Sequence, residues 1–127
     1  MKLLLDTHAL LWWLADDARL GPKSRTRIGD RDNEVLVSHV SLWEIAIKIG
    51  IGKLRLDIGE ALAAIRDRGL DQLSLAPSHL VALAALERHH RDPFDHMLVA
   101  QAIVEGATLM SDDGRMGDYP VAVLGCH

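Results

Sequence analysis

The chain has 127 residues, 49% of them hydrophobic, and a net charge of −4, which predicts one domain with its own buried core and disfavours a broadly basic nucleic-acid-binding surface. Its single cysteine, Cys126, cannot form a disulfide within the chain, so nothing indicates an oxidising compartment. The apolar runs are too short for a secretory leader or a membrane span, and a soluble, cytoplasmic protein is therefore expected.

The chain alternates between short apolar runs and helical patterns. The first run, Lys2 to Leu5, is predicted to be a buried strand, and a helix is predicted from Thr7 through Leu14. A second strand is predicted at Val35 to Val37, followed by a helix from Ser41 to about Ile49. The later predicted elements are a helix from Asp57 to Arg68, a strand from Gln72 to Leu75, a helix from Pro77, a helix from Pro93 to Val104, and strands at Thr108 to Met110 and Val121 to Leu124. This alternation predicts a single α/β domain over residues 1–127, a three-layer α/β/α sandwich with a mainly parallel central sheet.

Several acidic residues stand at the start of predicted helices, where ordinary helix capping would account for them. Asp6 lies directly before the first helix, in the position of an N-cap. Ser41 and Glu44 have the spacing of a capping box, and Asp92 precedes Pro93 as an N-cap precedes a first-turn proline. Each of these residues therefore has a structural explanation as well as a functional one.

These acids also share a location relative to the predicted sheet. Asp6 and the pair Asp112-Asp113 follow the ends of strands, and Glu44 and the segment Asp92 to Asp95 lie near the starts of helices that follow the sheet. Because the carboxyl ends of parallel strands meet at one edge, the side chains are expected to converge there. Two carboxylates about 4 Å apart repel each other by on the order of 4 kcal/mol at an effective dielectric constant near 20, so the cluster needs a cation. An all-oxygen ligand set favours Mg²⁺ or Mn²⁺, and the bound ion would present positive charge to a phosphate.

Four short segments carry a further signal. They are LLLDTH (residues 3–8), VSLWEI (residues 40–45), DPFDHMLVAQA (residues 92–102) and LMSDD (residues 109–113). In this order and spacing they resemble the motifs of VapC-like PIN-domain ribonucleases, the toxins of type II toxin–antitoxin systems. Each motif alone is weak, but four in sequence, extending over nearly the whole chain, are specific.

The resemblance implies a set of functional residues. Those expected to ligate or orient the metal are Asp6, Glu44, Asp95 and Asp113, supported by the hydroxyl groups of Thr7 and Ser41. Asp113 is preferred to Asp112 because the motif places its acid two residues after a serine or threonine, here Ser111, although the choice between the two stays open. His96 stands where the family often has arginine, so a phosphate contact at this position would depend on pH.

The resemblance also implies an activity and partners. The expected activity is Mg²⁺- or Mn²⁺-dependent endonucleolytic hydrolysis of RNA, and the expected partners are a VapB-like antitoxin and a second copy of the chain. One alternative is a catalytically inactive PIN-like binding module. A Mg²⁺-binding phosphoacceptor signalling domain is a weaker alternative, because such domains need an early acidic pair and a late lysine, and no lysine follows Lys53.

Further expectations concern the apolar residues of the first helix, two tryptophans and the histidines. Consecutive apolar residues from Leu10 to Leu14 cover more of the first helix than one core-facing stripe requires, which indicates a partner surface. Trp13 and Trp43 are each expected in the core, since that is the commoner location for such residues. The seven histidines show no metal-ligand spacing, so most are expected to be surface or packing residues.

Overall fold

A central sheet of five parallel strands organises the computed structural model, which describes residues 1–127. The strands lie in the order β3-β2-β1-β4-β5 and are β1 (Lys2–Leu5), β2 (Glu34–Ser38), β3 (Asp71–Leu73), β4 (Thr108–Met110) and β5 (Val123–Leu124). The helices are α1 (Thr7–Leu14), α2 (Pro22–Gly29), α3 (His39–Gly50), α4 (Ile58–Asp67), α5 (Pro77–Ala85) and α6 (Pro93–Glu105), and a 3₁₀ turn spans Gly114–Asp118.

The apolar run of β1 is buried on both faces of the sheet. Leu3 and Leu5 contribute to one hydrophobic cluster, which residues of α1, α2, α3 and α4 complete. Leu4 points to the opposite face, where it joins a second cluster formed mainly by α6 and the segment around Tyr119. Because successive side chains of a strand alternate between faces, a continuous apolar strand requires cover on both sides. The predicted three-layer α/β/α sandwich is confirmed, and the sheet is parallel throughout.

The strand order places the start of several helices at one edge of the sheet. Strands β2 and β3 lie on one side of β1, whereas β4 and β5 lie on the other. The chain therefore leaves β1 through Asp6 beside the end of β4, and the main-chain N–H of Asp6 donates to the carbonyl of Met110 at 3.0 Å. This carboxyl edge, at the point where the strand order reverses, is where open α/β sheets bind ligands.

Two helical features differ from the sequence-based expectation. Helix α2 was not predicted, because its sequence PKSRTRIG contains one large apolar residue, Ile28, and so shows no amphipathic period. Tertiary contacts hold it instead, since the Ser24 hydroxyl donates to the carbonyl of His127 at 2.9 Å. Helix α3 begins at His39 with Ser38 as its N-cap, so Ser41 lies inside the helix and the predicted Ser41–Glu44 capping box is wrong.

The other element boundaries agree with expectation to within two residues. The third strand begins at Asp71 and ends at Leu73, and the last is reduced to Val123–Leu124. Helix α6 ends at Glu105 and is capped by Gly106, whose φ of 64° lies in the left-handed region that favours glycine. None of the helices has the length and apolar character that a membrane crossing requires.

Replacing Ser38 with alanine is expected to lower the free energy of unfolding by about 1–2 kcal/mol. The Ser38 hydroxyl accepts from the N–H of Val40 at 3.0 Å and donates to Oε1 of the buried Gln101 at 2.5 Å, so alanine leaves two buried groups unpaired. Urea denaturation measures the effect. Asp57→Ala, which removes the exposed N-cap of α4, is the control and should cost less; equal losses would contradict the role of the Gln101 contact.

Candidate functional site

Asp6 is a buried carboxylate at the end of the central strand. It is 3% exposed, and its Oδ1 accepts from the N–H of Ala9 at 2.8 Å, so it is the N-cap of α1 as the simpler interpretation predicted. Burial raises its pKa above the ordinary value, the Ser111 hydroxyl and the Ala9 N–H oppose this shift, and the nearby Asp112 carboxylate adds to it. These two hydrogen-bonding groups offset only part of the cost of burial, since the pKa stays raised and Asp6 forms no salt bridge.

Glu44 is linked to Asp6 through the neighbouring threonine. The Thr7 hydroxyl lies 2.8 Å from Oε1 of Glu44 and 3.1 Å from the hydroxyl of Ser41, and all three residues are buried. The other carboxylate oxygen of Glu44 pairs with Lys48 at 3.0 Å, one turn further along α3. Because Ser41 does not cap the helix, its hydroxyl and the Glu44 carboxylate both face α1, and the predicted placement of Thr7 and Ser41 beside an acidic residue agrees with this geometry.

Asp95 lies in the first turn of α6, one residue after Phe94 and three after the N-cap Asp92. The side chain of Asp95 is 14% exposed. Burial is the largest cause that raises its pKa to about 6; the carboxylates of Asp92 and Asp6 act in the same direction, and a hydrogen bond from His90 acts against them. The influence of Asp6 shows that acids 89 positions apart in the chain lie in one electrostatic neighbourhood.

Asp112 and Asp113 follow β4 and have different partners. Oδ1 of Asp112 accepts from the N–H of Cys126 at 2.7 Å, and the Asp112 charge acts on Asp6. Asp113 caps the 3₁₀ turn and forms a two-pronged ion pair with Arg115, whose guanidinium lowers the pKa of Asp113 to about 2. A side-chain cation thus already compensates the negative charge of Asp113, whereas the charge of Asp112 acts on Asp6.

The acids gather at one edge of the sheet without forming a closed metal cage. No group of three or more histidine, cysteine, aspartate or glutamate side chains has the mutual spacing needed to hold an ion. Lys48 and Arg115 instead neutralise Glu44 and Asp113. The donors are nevertheless carboxylate and hydroxyl oxygens, and the buried Asp6 carboxylate lacks a cationic partner, so the residues fit a hard divalent cation rather than zinc.

His90 is the residue of this site that the sequence interpretation missed. Its side chain is 4% exposed, and its Nε2 lies 3.3 Å from Oδ2 of Asp95. The available signal was its position two residues before Asp92, at the entrance to the third motif. His96 is buried as well, and its Nε2 contacts the main-chain carbonyl of His90 at 2.5 Å. In this conformation Nε2 is therefore engaged within the protein and is not free to contact a phosphate.

Apolar side chains border the acidic residues on α3. Trp43 is 61% exposed, so its predicted place in the core is wrong; its ring meets Phe94 edge-on with the centroids 5.2 Å apart. Ile47 and Ile51 are 40% and 60% exposed at successive turns of the same helix. Trp13, by contrast, is half-buried against the first hydrophobic cluster beneath Arg68.

Comparisons with known proteins agree with this architecture. The family model described as PIN domain matches residues 3–121. No curated protein matches the chain in sequence.

Three solved structures illustrate the likeness in fold. VapBC2 from Rickettsia felis, bound to a DNA fragment from its promoter, is similar with a TM-score of 0.77 and 15% identity, covering 98% of each chain. DNA-bound VapBC from Salmonella typhimurium is similar with a TM-score of 0.71 and 18% identity, and the match covers 100% of this chain and 99% of the other. VapBC-1 from nontypeable Haemophilus influenzae is similar with a TM-score of 0.62 and 15% identity, and the match covers 99% of this chain and 98% of the other. Together with the family match over almost the whole chain, this confirms the resemblance carried by the four motifs: the chain belongs to the PIN domain family.

Proposed function

We propose that the chain is a divalent-metal-dependent endoribonuclease that acts as the toxin of a VapBC-like toxin–antitoxin pair. The observation that carries the proposal is the buried Asp6 carboxylate, which lies within the electrostatic reach of Asp95 and Asp112 without a cationic partner. Such an arrangement is unfavourable by itself and becomes favourable when a dication binds. Its position at the carboxyl edge of a parallel sheet supports a ligand site there.

The residues proposed to hold the metal are Asp6, Glu44, Asp95 and Asp113, with Asp112 as the alternative to Asp113. Their oxygen donors favour Mg²⁺ or Mn²⁺. When bound, such a cation supplies the positive charge that polarises a phosphodiester and acidifies water for attack.

The chain's own residues prepare this chemistry. The Thr7 hydroxyl holds Glu44 in one orientation, and Ala9 fixes one oxygen of Asp6. Lys48, Lys53 and Arg91 line a groove that runs past Glu44 and Phe94, where they can bind the phosphates of a single RNA strand. Glu44 and Asp92 line the same groove, so its three basic side chains exceed its acidic ones by one, and this local charge opposes the unfavourable net charge of −4.

Cleavage of RNA by the purified chain tests the proposal. We expect an end-labelled RNA to be cut internally with Mg²⁺ or Mn²⁺ and left intact with EDTA, and the products to carry 5′-phosphate and 3′-hydroxyl ends. Products ending in a 2′,3′-cyclic phosphate would contradict a hydrolytic mechanism, because they arise when the ribose hydroxyl attacks.

The ion pairs Glu44–Lys48 and Asp113–Arg115 favour a second candidate, an inactive PIN-like binding module. In that case the two acids serve only the fold and no metal enters. Binding of the same RNA without cleavage at any Mg²⁺ or Mn²⁺ concentration would identify this alternative.

We also propose two protein partners, an antitoxin and a second copy of the chain. The three similar structures are named as VapBC complexes, which supports a VapB-like antitoxin. A groove between α1 and residues 54–56, lined by Leu11, Trp12 and Leu14, gives an apolar segment of such a partner a surface to bind. The exposed stripe of Trp43, Ile47 and Ile51 is the surface proposed for homodimer formation. Because Ile47 and Ile51 also line the groove proposed for RNA, the second copy would form one border of that groove.

Trp43→Glu is expected to shift the purified chain from dimer to monomer, because a charge in the centre of a small apolar interface remains unpaired. Light scattering coupled to size-exclusion chromatography measures the mass. Val81→Glu, on an α5 position that is 72% exposed, is the matched control and should leave the mass unchanged. A dimer that survives Trp43→Glu at micromolar concentration would show that another surface joins the copies.

A further inference from the structure

Tyr119 and His90, 29 residues apart in the chain, form a buried hydrogen-bonded series that ends on Asp95. The hydroxyl of Tyr119 lies 2.8 Å from Nδ1 of His90, and Nε2 of the same ring lies 3.3 Å from Oδ2 of Asp95. Tyr119 is 4% exposed. The His90 side chain is exposed to the same small extent.

The partners determine where the protons lie. The main-chain N–H of His89 donates to the Tyr119 hydroxyl oxygen at 3.0 Å, which leaves the Tyr119 proton free to be donated to Nδ1 of His90. A neutral imidazole ring that accepts at Nδ1 carries its proton on Nε2, and this proton points to the Asp95 carboxylate. The series therefore selects a single tautomer of His90 and a single direction of donation.

Packing also limits the rotation of the His90 ring. The His96 ring meets it edge-on at 4.9 Å and the Tyr119 ring at 5.5 Å, while Nε2 of His96 contacts the main-chain carbonyl of His90. His90 is thus a rigid donor, although its 3.3 Å contact is at the long end for a hydrogen bond. Such a contact directs the carboxylate more than it stabilises the fold.

Asp95 depends on this contact more than the other acids depend on theirs. The hydrogen bond with His90 is the only one that its side chain makes. Asp6 is held by Ala9, Glu44 by Thr7 and Lys48, and Asp113 by Arg115. Without His90, repulsion from Asp92 and Asp6 would favour rotation of the Asp95 carboxylate away from the site.

We propose that His90 is a positioning residue, which holds the Asp95 carboxylate in the orientation that receives the divalent cation, and that Tyr119 sets the tautomer in which His90 does so. The inference rests on the proposed function for the identity of the metal site and goes beyond it by assigning two residues outside the acidic set. Partners of this kind, which orient a metal ligand without touching the ion, alter metal affinity by about 10–100-fold when removed.

The test compares two replacements of His90 in the full chain. His90→Phe keeps a ring for packing but has no donor, whereas His90→Gln places an amide N–H near the former Nε2. We expect His90→Phe to raise the Mn²⁺ dissociation constant by about 10–100-fold and His90→Gln to restore most of the affinity. Tyr119→Phe should cause a smaller increase, because the tautomer is then no longer fixed. Isothermal titration with Mn²⁺ alone gives these constants, and far-UV circular dichroism checks the fold of each variant.

Cleavage measured against Mn²⁺ concentration separates positioning from ligation. For a positioning role, His90→Phe needs more Mn²⁺ for half-maximal activity but approaches the wild-type kcat at saturation. A kcat that stays low at saturating Mn²⁺, in His90→Phe and His90→Gln alike, would make His90 a ligand and overturn the proposal. The control is His39→Phe, whose ring is exposed and contacts Gln72 but no acid; it should bind Mn²⁺ as the wild type does.

The outcome for His90 is distinct from that for the nuclease itself. Wild-type protein that binds Mn²⁺ but does not cleave RNA would refute the proposed activity and leave the affinity comparison valid. Wild-type protein that binds and cleaves, with His90→Phe unchanged in both measurements, would refute the positioning role alone.

Discussion

Asp6→Asn is expected to reduce Mn²⁺-dependent RNA cleavage by at least about 100-fold, since several kcal/mol of metal-derived stabilisation is lost and each 1.36 kcal/mol changes the rate tenfold. Asparagine keeps an oxygen that accepts from Ala9, so it preserves the N-cap of α1. The metal-free variant should therefore melt close to the wild-type temperature. Single-turnover cleavage of an end-labelled RNA at saturating Mn²⁺ measures the rate.

Asp57→Asn is the matched control for this prediction. It exchanges the same two side chains at another helix N-cap, where Asp57 accepts from Glu60 at an exposed site on α4. Its cleavage rate should equal that of the wild type. If Asp6→Asn cleaved RNA with Mn²⁺ at the same rate as the control, Asp6 would serve only as a helix cap, and its proposed role as a metal ligand would be refuted.

Asp95→Asn is expected to stabilise the metal-free protein at pH 7 by about 1 kcal/mol. This is less than the full pKa shift of Asp95 would give, because the site is partly solvated and the new amide forms a weaker hydrogen bond with His90. The pKa of Asp95 is about 6 in the folded protein against 3.8 for an ordinary aspartate, so between these values the folded state binds more protons than the unfolded state. The contribution of Asp95 to stability therefore falls as the pH rises through this window. Below pH 3.8 the carboxyl is protonated in both states, and the advantage of the variant should disappear.

Urea denaturation in EDTA at pH 3.5, 5 and 7 measures this pH dependence. Asp113→Asn is the control of opposite sign: Arg115 holds the pKa of Asp113 at about 2, so this exchange should destabilise the protein at pH 7. With Mg²⁺ at a hundred times its dissociation constant, the wild type gains about 2.7 kcal/mol, and Asp95→Asn should gain less. Stability of Asp95→Asn equal to or below that of the wild type in EDTA at pH 7 would show that Asp95 is not strained in the metal-free state.

The sequence supplied most of the residues proposed for the site because the relevant signals are local. Asp6 follows a strand, Asp95 follows a helix cap, and their motifs occur in a specific order, so both could be assigned to one edge of a parallel sheet. The same local rules gave the wrong cap for α3, where Ser41 and Glu44 have capping-box spacing but Ser38 does the capping. The helix begins at His39, directly after β2, so the Ser38 hydroxyl caps it, and Ser41 and Glu44 lie inside the helix, where both contact Thr7.

Residue pairs distant in sequence could not be predicted in the same way. The contact between His90 and Tyr119 joins positions 29 residues apart, and no periodicity connects them. The exposure of Trp43 has a similar origin: α3 buries Leu42 and Ile45 against other elements, so the helical period places Trp43 on the outside. Which face of α3 is buried depends on where α1 and α6 pack, and one helix's sequence does not contain that information.

By itself, the sequence determined the alternation of strands and helices, the buried character of β1 and the motifs that identify a PIN domain, because propensity, hydrophobic period and motif order are properties of the chain alone. Only the tertiary structure decided that the charge of Asp112 acts on Asp6 while Asp113 pairs with Arg115, and that His90 contacts Asp95. Neighbouring residues leave a strand in different directions, and the order of the strands determines which partners each side chain meets. The electrostatics of the acidic edge therefore depend on the fold, although the acids themselves can be read from the chain.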